Sequence, residues 1–150
     1  MSEHGSLLGR YDGYIGYYDE TERYGNIEEL KEMILYKKVV EVTQDKVVLE
    51  NGAVLTIECS EQDCCANGGG EFEFDKYNAP LEAVITDFQI GEQEDVPDED
   101  TRISKNTITL FHNQNPIIEA SATTDAGNGG YYFSVTSLVI NNIHFPFVEA

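Results

Sequence analysis

The residues with the greatest capacity for chemistry are Cys59, Cys64 and Cys65, the chain's only three thiols, which stand among Glu58, Glu61 and Asp63 in a stretch ending at Gly68-Gly69-Gly70. Such a cluster can hold a metal, close a disulfide or supply a nucleophile. Structural zinc asks for four ligands, as a rule from two closely spaced pairs. Here no second Cys or His pair follows, and Asp63, His112 and His144 are not spaced to complete a site. A Cys59–Cys64 disulfide fits a short loop, whereas bonding the adjacent Cys64 and Cys65 would strain the backbone. An odd number of clustered cysteines favours reduced thiols. Nucleophilic use needs a depressed thiol pKa, and the neighbouring acids act in the opposite direction. The stretch therefore reads as a structural connection with small buried thiols, its glycines permitting close backbone approach.

Other constellations are weaker still. The histidines are His4, His112 and His144, and no G-x-S-x-G elbow accompanies them, so a triad has no support in the sequence. Gly127-Asn128-Gly129-Gly130 joins strands and lacks the following helix and Lys of a phosphate loop, which leaves a bulged turn. Residues 91–100 carry six acids and no base, but the ligand spacing and turn glycine of a calcium loop are missing. They read as a solvated, self-repelling connection. The expectation is a protein that is not an enzyme and needs no cofactor or metal.

What must position any site is a chain of 150 residues, enough for one domain with its own core. Its 28 acids against 9 bases give a net charge of −19. That field repels nucleic acid and anionic membranes and favours basic partners. No apolar run reaches the length of a membrane span, and Met1-Ser2-Glu3-His4-Gly5-Ser6 lacks the basic and apolar regions of a signal peptide, so an intracellular location is expected.

Residues 1–25 interleave Tyr11, Tyr14, Tyr17, Tyr18 and Tyr24 with glycines and sustain no period; they form an irregular arm, with a short strand near Tyr14 to Tyr18. Tyrosine suits contact because it offers a large area on few rotors. Asn26 followed by Ile27, Leu30 and Ile34 on one face predicts a short helix over 27–35. The period then becomes two. Val40 and Val42, Val47 and Leu49, and residues 53–59 predict a three-stranded meander whose Asn51-Gly52 turn suits type I′. Further strands follow at 71–75, at 83–90 with Val84, Phe88 and Ile90 on one face, and as a hairpin through Asn113-Gln114-Asn115-Pro116. Residues 131–140 make another strand, and 143–148 make one that Pro146 demotes to an edge. Two β halves flank the acidic connection. The fold class is mainly β: an antiparallel curved sheet or two-layer sandwich with one short N-terminal helix. The arm spans 1–25 and a single acidic β-rich domain spans 26–150.

Leu35-Tyr36-Lys37-Lys38-Val39-Val40-Glu41-Val42, the Asn51-Gly52 hairpin, Asp63-Cys64-Cys65-Ala66 and the late Asn128-Gly129-Gly130-Tyr131-Tyr132 together resemble an uncharacterised family of small acidic bacteriophage proteins, a domain of unknown function. The resemblance covers residues 35–140. The three glycines after Ala66, the extra glycine in the late turn and the Tyr-rich arm depart from it. It implies a phage origin and carries no catalytic residue over. The expected function is a non-enzymatic, phage-encoded accessory protein in the host cytoplasm, binding a host protein or a small signalling ligand and counteracting host defence. The alternatives are a virion structural protein, as a decoration or tail-associated component, and a DNA-mimic inhibitor of a nucleic-acid-binding protein. Candidate ligand or partner-binding residues are Asp63, Cys64, Cys65, Asn128, Tyr131, Tyr132, Tyr14, Tyr17 and Tyr18. No direct nucleic-acid or membrane partner is expected, and a homo-oligomer is compatible with this reading.

Overall fold

Asn26 starts the helix: its side-chain oxygen accepts the Glu29 N–H at 3.0 Å, satisfying one of the donors a helix start leaves unpaired. Helix α1 (Ile27–Ile34) turns Leu30 and Ile34, both fully buried, into the core and sets Glu28 and Glu29 at its positive end. The Arg23 guanidinium beside Glu29 holds that carboxyl below the ordinary carboxylate range, a hydrogen-bonded pair that ties the approach of the chain to the helix.

The computed structural model describes residues 8, 15, 22–62, 66–77, 79–80, 82–96, 101–127 and 134–150. Its strands, in chain order, are β1 (Arg23–Tyr24), β2 (Val39–Val42), β3 (Val47–Leu49), β4 (Val54–Gln62), β5 (Asn67–Glu73), β6 (Asp87–Ile90), β7 (Glu94–Val96), β8 (Ile103–His112), β9 (Asn115–Asp125), β10 (Ser134–Ile140) and β11 (Ile143–Glu149). One sheet runs β1-β11-β10-β4-β3-β2; the other runs β5-β9-β8-β6, with β7 also paired to β8. All pairings are antiparallel except β1 with β11. The mainly β, two-sheet fold with one short helix is the one expected. Among the described residues, no helix is long and apolar enough to cross a membrane.

The core lies between the sheets. Leu55, Leu138, Ile140, Phe145 and Phe147 face Phe72, Ile108, Leu110, Ile118 and Ala120, and α1 adds Leu30 and Ile34. Each fully buried Leu, Ile or Phe among them contributes about 1.5–3 kcal/mol relative to exposure. Polar links also join the sheets, among them the Asn106 side-chain N–H, which donates to the Phe147 carbonyl at 2.8 Å.

Several expectations need correction. The two sheets are not sequence halves: the first takes β1 to β4 with β10 and β11, and the second takes β5 to β9. The cysteine-rich stretch is largely strand, because β4 continues to Gln62 and β5 begins at Asn67. Its glycines sit in the ladder with β9, where a Cβ on Gly70 would stand 2.2 Å from the Ser121 carbonyl. The acidic connection contains β7, whose Glu94 and Asp95 find counter-charges in Lys105 at 3.5 Å and Arg102 at 3.9 Å. Residues 83–90 are split between sheets: Val84 bridges to Lys38, β6 begins only at Asp87, and Ile85 rather than Val84 is buried. Pro146 does not leave β11 at an edge, since β1 pairs with Ile143 and His144. Proline fits where the register shifts against β10, and its carbonyl points the other way, accepting the Leu8 N–H at 3.0 Å.

The turns follow the same logic. The Asn51-Gly52 hairpin forms, but only Gly52 is left-handed (φ 85), and its N–H donates to the Leu49 carbonyl at 2.9 Å. This is a type I turn closed by a left-handed glycine in place of type I′. The type I′ pattern occurs instead at Asn113-Gln114 (φ 49 and 73) and Asn141-Asn142 (φ 51 and 66), joining β8 to β9 and β10 to β11.

Candidate functional site

Where the β2 edge of the first sheet meets the margin of the second, two backbone hydrogen bonds bracket an opening. Val39 N–H donates to the Ala83 carbonyl at 2.9 Å on one side, and Phe72 N–H donates to the Gln44 carbonyl at 2.9 Å on the other. Between them the sheets part around a cavity of about 380 Å³. Val39, Val42, Phe74, Ala83, Ile117 and Ile118 give it apolar walls, while Glu41, Asp75 and Glu82 stand exposed at its rim. A neighbouring cleft of about 470 Å³ shares Phe74 and Asp75 and adds Gln44, Glu71, Phe72, Glu73 and Lys76.

The chain builds this groove from its alternation. Val39 and Val42 are partly buried against the core while Val40 and Glu41 are exposed, and Val40 is the extra residue where the β2–β3 register shifts. Ile117 and Ile118 stand near the start of β9, which reaches beyond the end of β5, and Phe74, Tyr77, Pro80 and Ala83 line the gap beside them. Glu82 holds φ 54, a left-handed conformation uncommon for a non-glycine residue, at the rim itself.

Electrostatics give the groove a sign. Glu41, Glu71, Glu73, Asp75 and Glu82 line the joined clefts against a single ammonium, Lys76. That ammonium lies 3.2 Å from Glu73 and 3.6 Å from Glu119, and Glu73 above all raises its pKa, so its charge is already compensated. Tyr77 donates to Glu119 at 3.1 Å and packs its ring 5.3 Å from the Lys76 ammonium; burial first, then Glu119, pushes its hydroxyl pKa up. The surplus of negative charge beside apolar walls favours a ligand with an apolar body and a positive group.

The residues singled out in the sequence occupy other places. Asp63, Cys64, Cys65, Asn128, Tyr131, Tyr132, Tyr14, Tyr17 and Tyr18 all lie outside the described residues. Their flanks can be placed. Gln62 pairs with Ser134 and Asn67 with Asp125, and Ser134 Oγ stands 3.0 Å from the carbonyl oxygens of both Asn67 and Asp125. Gln62, Asn67, Asp125 and Ser134 therefore meet at one corner of the sandwich. Cys59, the described cysteine, is a half-buried free thiol within 3.5 Å of the Glu61 carbonyl. Its pKa is raised, but by burial and not by the neighbouring acids to which the sequence pointed; hydrogen bonds from the backbone and from Thr136 act in the opposite direction. Among the described residues, no group of three or more His, Cys, Asp or Glu could hold a metal.

The groove itself was not visible in the sequence, because its walls come from β2, β9 and the β5–β6 connection. The alternation of Val40 with Val42 pointed the wrong way: the register shift turns Val40 out to solvent and sets Val39 with Val42 against the core.

A model for a domain of unknown function, DUF7448, matches residues 32–139, which span β2 through most of β10 and thus the whole groove. No curated protein and no solved structure matches the chain.

Proposed function

The chain belongs to the DUF7448 family, and we propose that it works by binding: the groove beside β2 receives an apolar group carrying positive charge. The observation that carries this reading is the joining of apolar walls, about 380 Å³ of space and a carboxylate rim in one opening. Small-molecule pockets begin at roughly 300 Å³, and the same space takes one or two side chains of a protein partner. A net charge of −19 speeds encounter with a basic partner and discriminates against nucleic acid and anionic ligands.

The proposal extends to context. The Asp63-Cys64-Cys65-Ala66 stretch and the acidic composition support a phage-encoded accessory protein acting in the host cytoplasm on a host protein or a small cationic ligand. Capture from expressing host cells tests it, with the Phe74→Asp and Ile118→Asp variants as controls. A partner retained by the native protein and lost by a folded groove variant supports the reading. A partner retained equally by both places binding elsewhere.

A further inference from the structure

Glu22, Ser60, Ser137 and His144 come from four separate segments, yet their polar atoms form one chain. Ser137 Oγ lies 2.6 Å from Ser60 Oγ, Ser60 Oγ lies 2.8 Å from His144 Nδ1, and His144 Nε2 lies 3.1 Å from Glu22 Oε1. The direction of these bonds follows from what each group can do. An ionised carboxylate only accepts, so Nε2 carries the proton facing Glu22. In the neutral ring Nδ1 is then the acceptor, Ser60 must donate to it, and Ser137 must donate to Ser60. The Ser60 hydroxyl is thus aimed at a base whose far nitrogen is held by a carboxylate, the arrangement that activates a serine nucleophile.

The sheet positions the group rigidly. His144 on β11 is 3% exposed and Ser137 on β10 is fully buried, while Ser60 on β4 is partly exposed. Of the two hydroxyls, the one bonded to the imidazole is therefore the one that meets solvent. Ser60 is also the extra residue of a bulge: Val135 pairs with Glu61 and Thr136 with Cys59, leaving Ser60 unmatched and re-aimed. The Tyr24 ring stands edge-on to the imidazole at 6.4 Å and donates its hydroxyl to Glu61, walling the other side.

We propose that Ser60 is a nucleophile, with His144 as its general base and Glu22 as the positioning carboxylate, and that it accepts acyl groups from small neutral or cationic esters. Glu22 behind the imidazole, and Glu58 and Glu61 on the strand that carries Ser60, disfavour anionic substrates. In the step, Ser60 Oγ bonds to the carbonyl carbon while its proton passes to Nδ1. The carbon–oxygen bond to the alcohol breaks, and the alcohol leaves with that proton. Water, giving a proton to Nδ1 in the same way, then releases the acid and restores the serine. This site lies apart from the groove and does not depend on the binding reading.

The test is labelling with a fluorophosphonate probe. Oγ replaces fluoride on phosphorus, fluoride leaves, and the serine proton passes through Nδ1 to solvent. The native protein should carry one phosphonyl group, mapped to Ser60 by peptide mass spectrometry. Ser60→Ala should carry none, Ser137→Ala should still react, and His144→Gln should react about 100-fold more slowly. Glu22→Gln keeps an acceptor for Nε2–H, so it preserves the fold; it should slow labelling without moving the unfolding midpoint. An unlabelled Ser60 in the native protein overturns the proposal, as does an unchanged rate in folded His144→Gln. Should His144→Gln not fold, an unchanged rate in Glu22→Gln overturns it in the same way.

Discussion

Gly68 in β5 lies against Thr136 in β10, so closely that a Cβ on the glycine would stand 2.1 Å from the threonine Oγ1 and 2.7 Å from Thr124 Oγ1. The contact joins the two sheets at the corner where β4 hands the chain to β5. It gives the glycine run a physical cause that composition alone could not supply.

Gly68→Ala and Gly70→Ala should each destabilise the protein by about 1–3 kcal/mol, as added methyl groups do in a packed core. At Gly70 the obstacle is backbone, the Ser121 carbonyl, which cannot rotate away. Gly69 has nothing within 4 Å of its Cβ position, so Gly69→Ala should be neutral or stabilise by about 0.4–1 kcal/mol. Urea unfolding of the three variants checks the pattern, and equal losses at all three positions would contradict it.

The Asn141-Asn142 turn makes a second prediction. Both residues are left-handed, so Asn142→Gly should be tolerated, whereas Asn142→Val should cost about 1–2 kcal/mol. Thermal unfolding separates the two; indistinguishable variants would mean that the turn does not hold this conformation.

These features also mark how far the sequence could be read. The Asn26 cap and the spacing of Leu30 and Ile34 announced α1 because helix signals are local. Asn51-Gly52 announced a hairpin, but its turn type depends on which residue is left-handed, and here that is Gly52 alone. Residues 60–62 and 67–70 looked like loop because glycines and acids are poor strand formers in isolation; pairing with β10 and β9 overrides that preference. The groove needs the β2 edge and Ile118 side by side, and the hydroxyl chain needs Ser60 and His144, which stand 84 positions apart. No local period encodes such meetings.

Lys105 faces Glu94 across the β7–β8 ladder at 3.5 Å. Lys105→Glu should place like charges opposite each other and loosen β7 selectively. Hydrogen exchange should quicken at residues 94–96 while β9 stays protected; unchanged exchange there would show that charge pairing does not hold the strand.

Cys59 gives a prediction in pH. Burial raises its thiol pKa above the ordinary 9.0, so the folded protein holds this proton more tightly than the unfolded chain. The resulting stability is fully present below the ordinary value and is lost as pH rises through the folded one. Tyr77, raised from 10.0, acts with the same sign at higher pH. In a Cys64→Ser, Cys65→Ser background, a disulfide reagent at pH 8 should modify Cys59 more slowly in the native protein than in urea. Equal rates would contradict the account.

The central claim is that the groove beside β2 takes an apolar group bearing positive charge. Its most direct test is an amide NMR titration with 4-phenylbutylamine against 4-phenylbutyrate, probes that share an apolar body and differ in the sign of the charge. The amine should shift the resonances of Val42, Phe74 and Ile118 in a saturable way, and the carboxylate should leave them in place. No shift at these residues with the amine, or equal shifts with both probes, would contradict the claim.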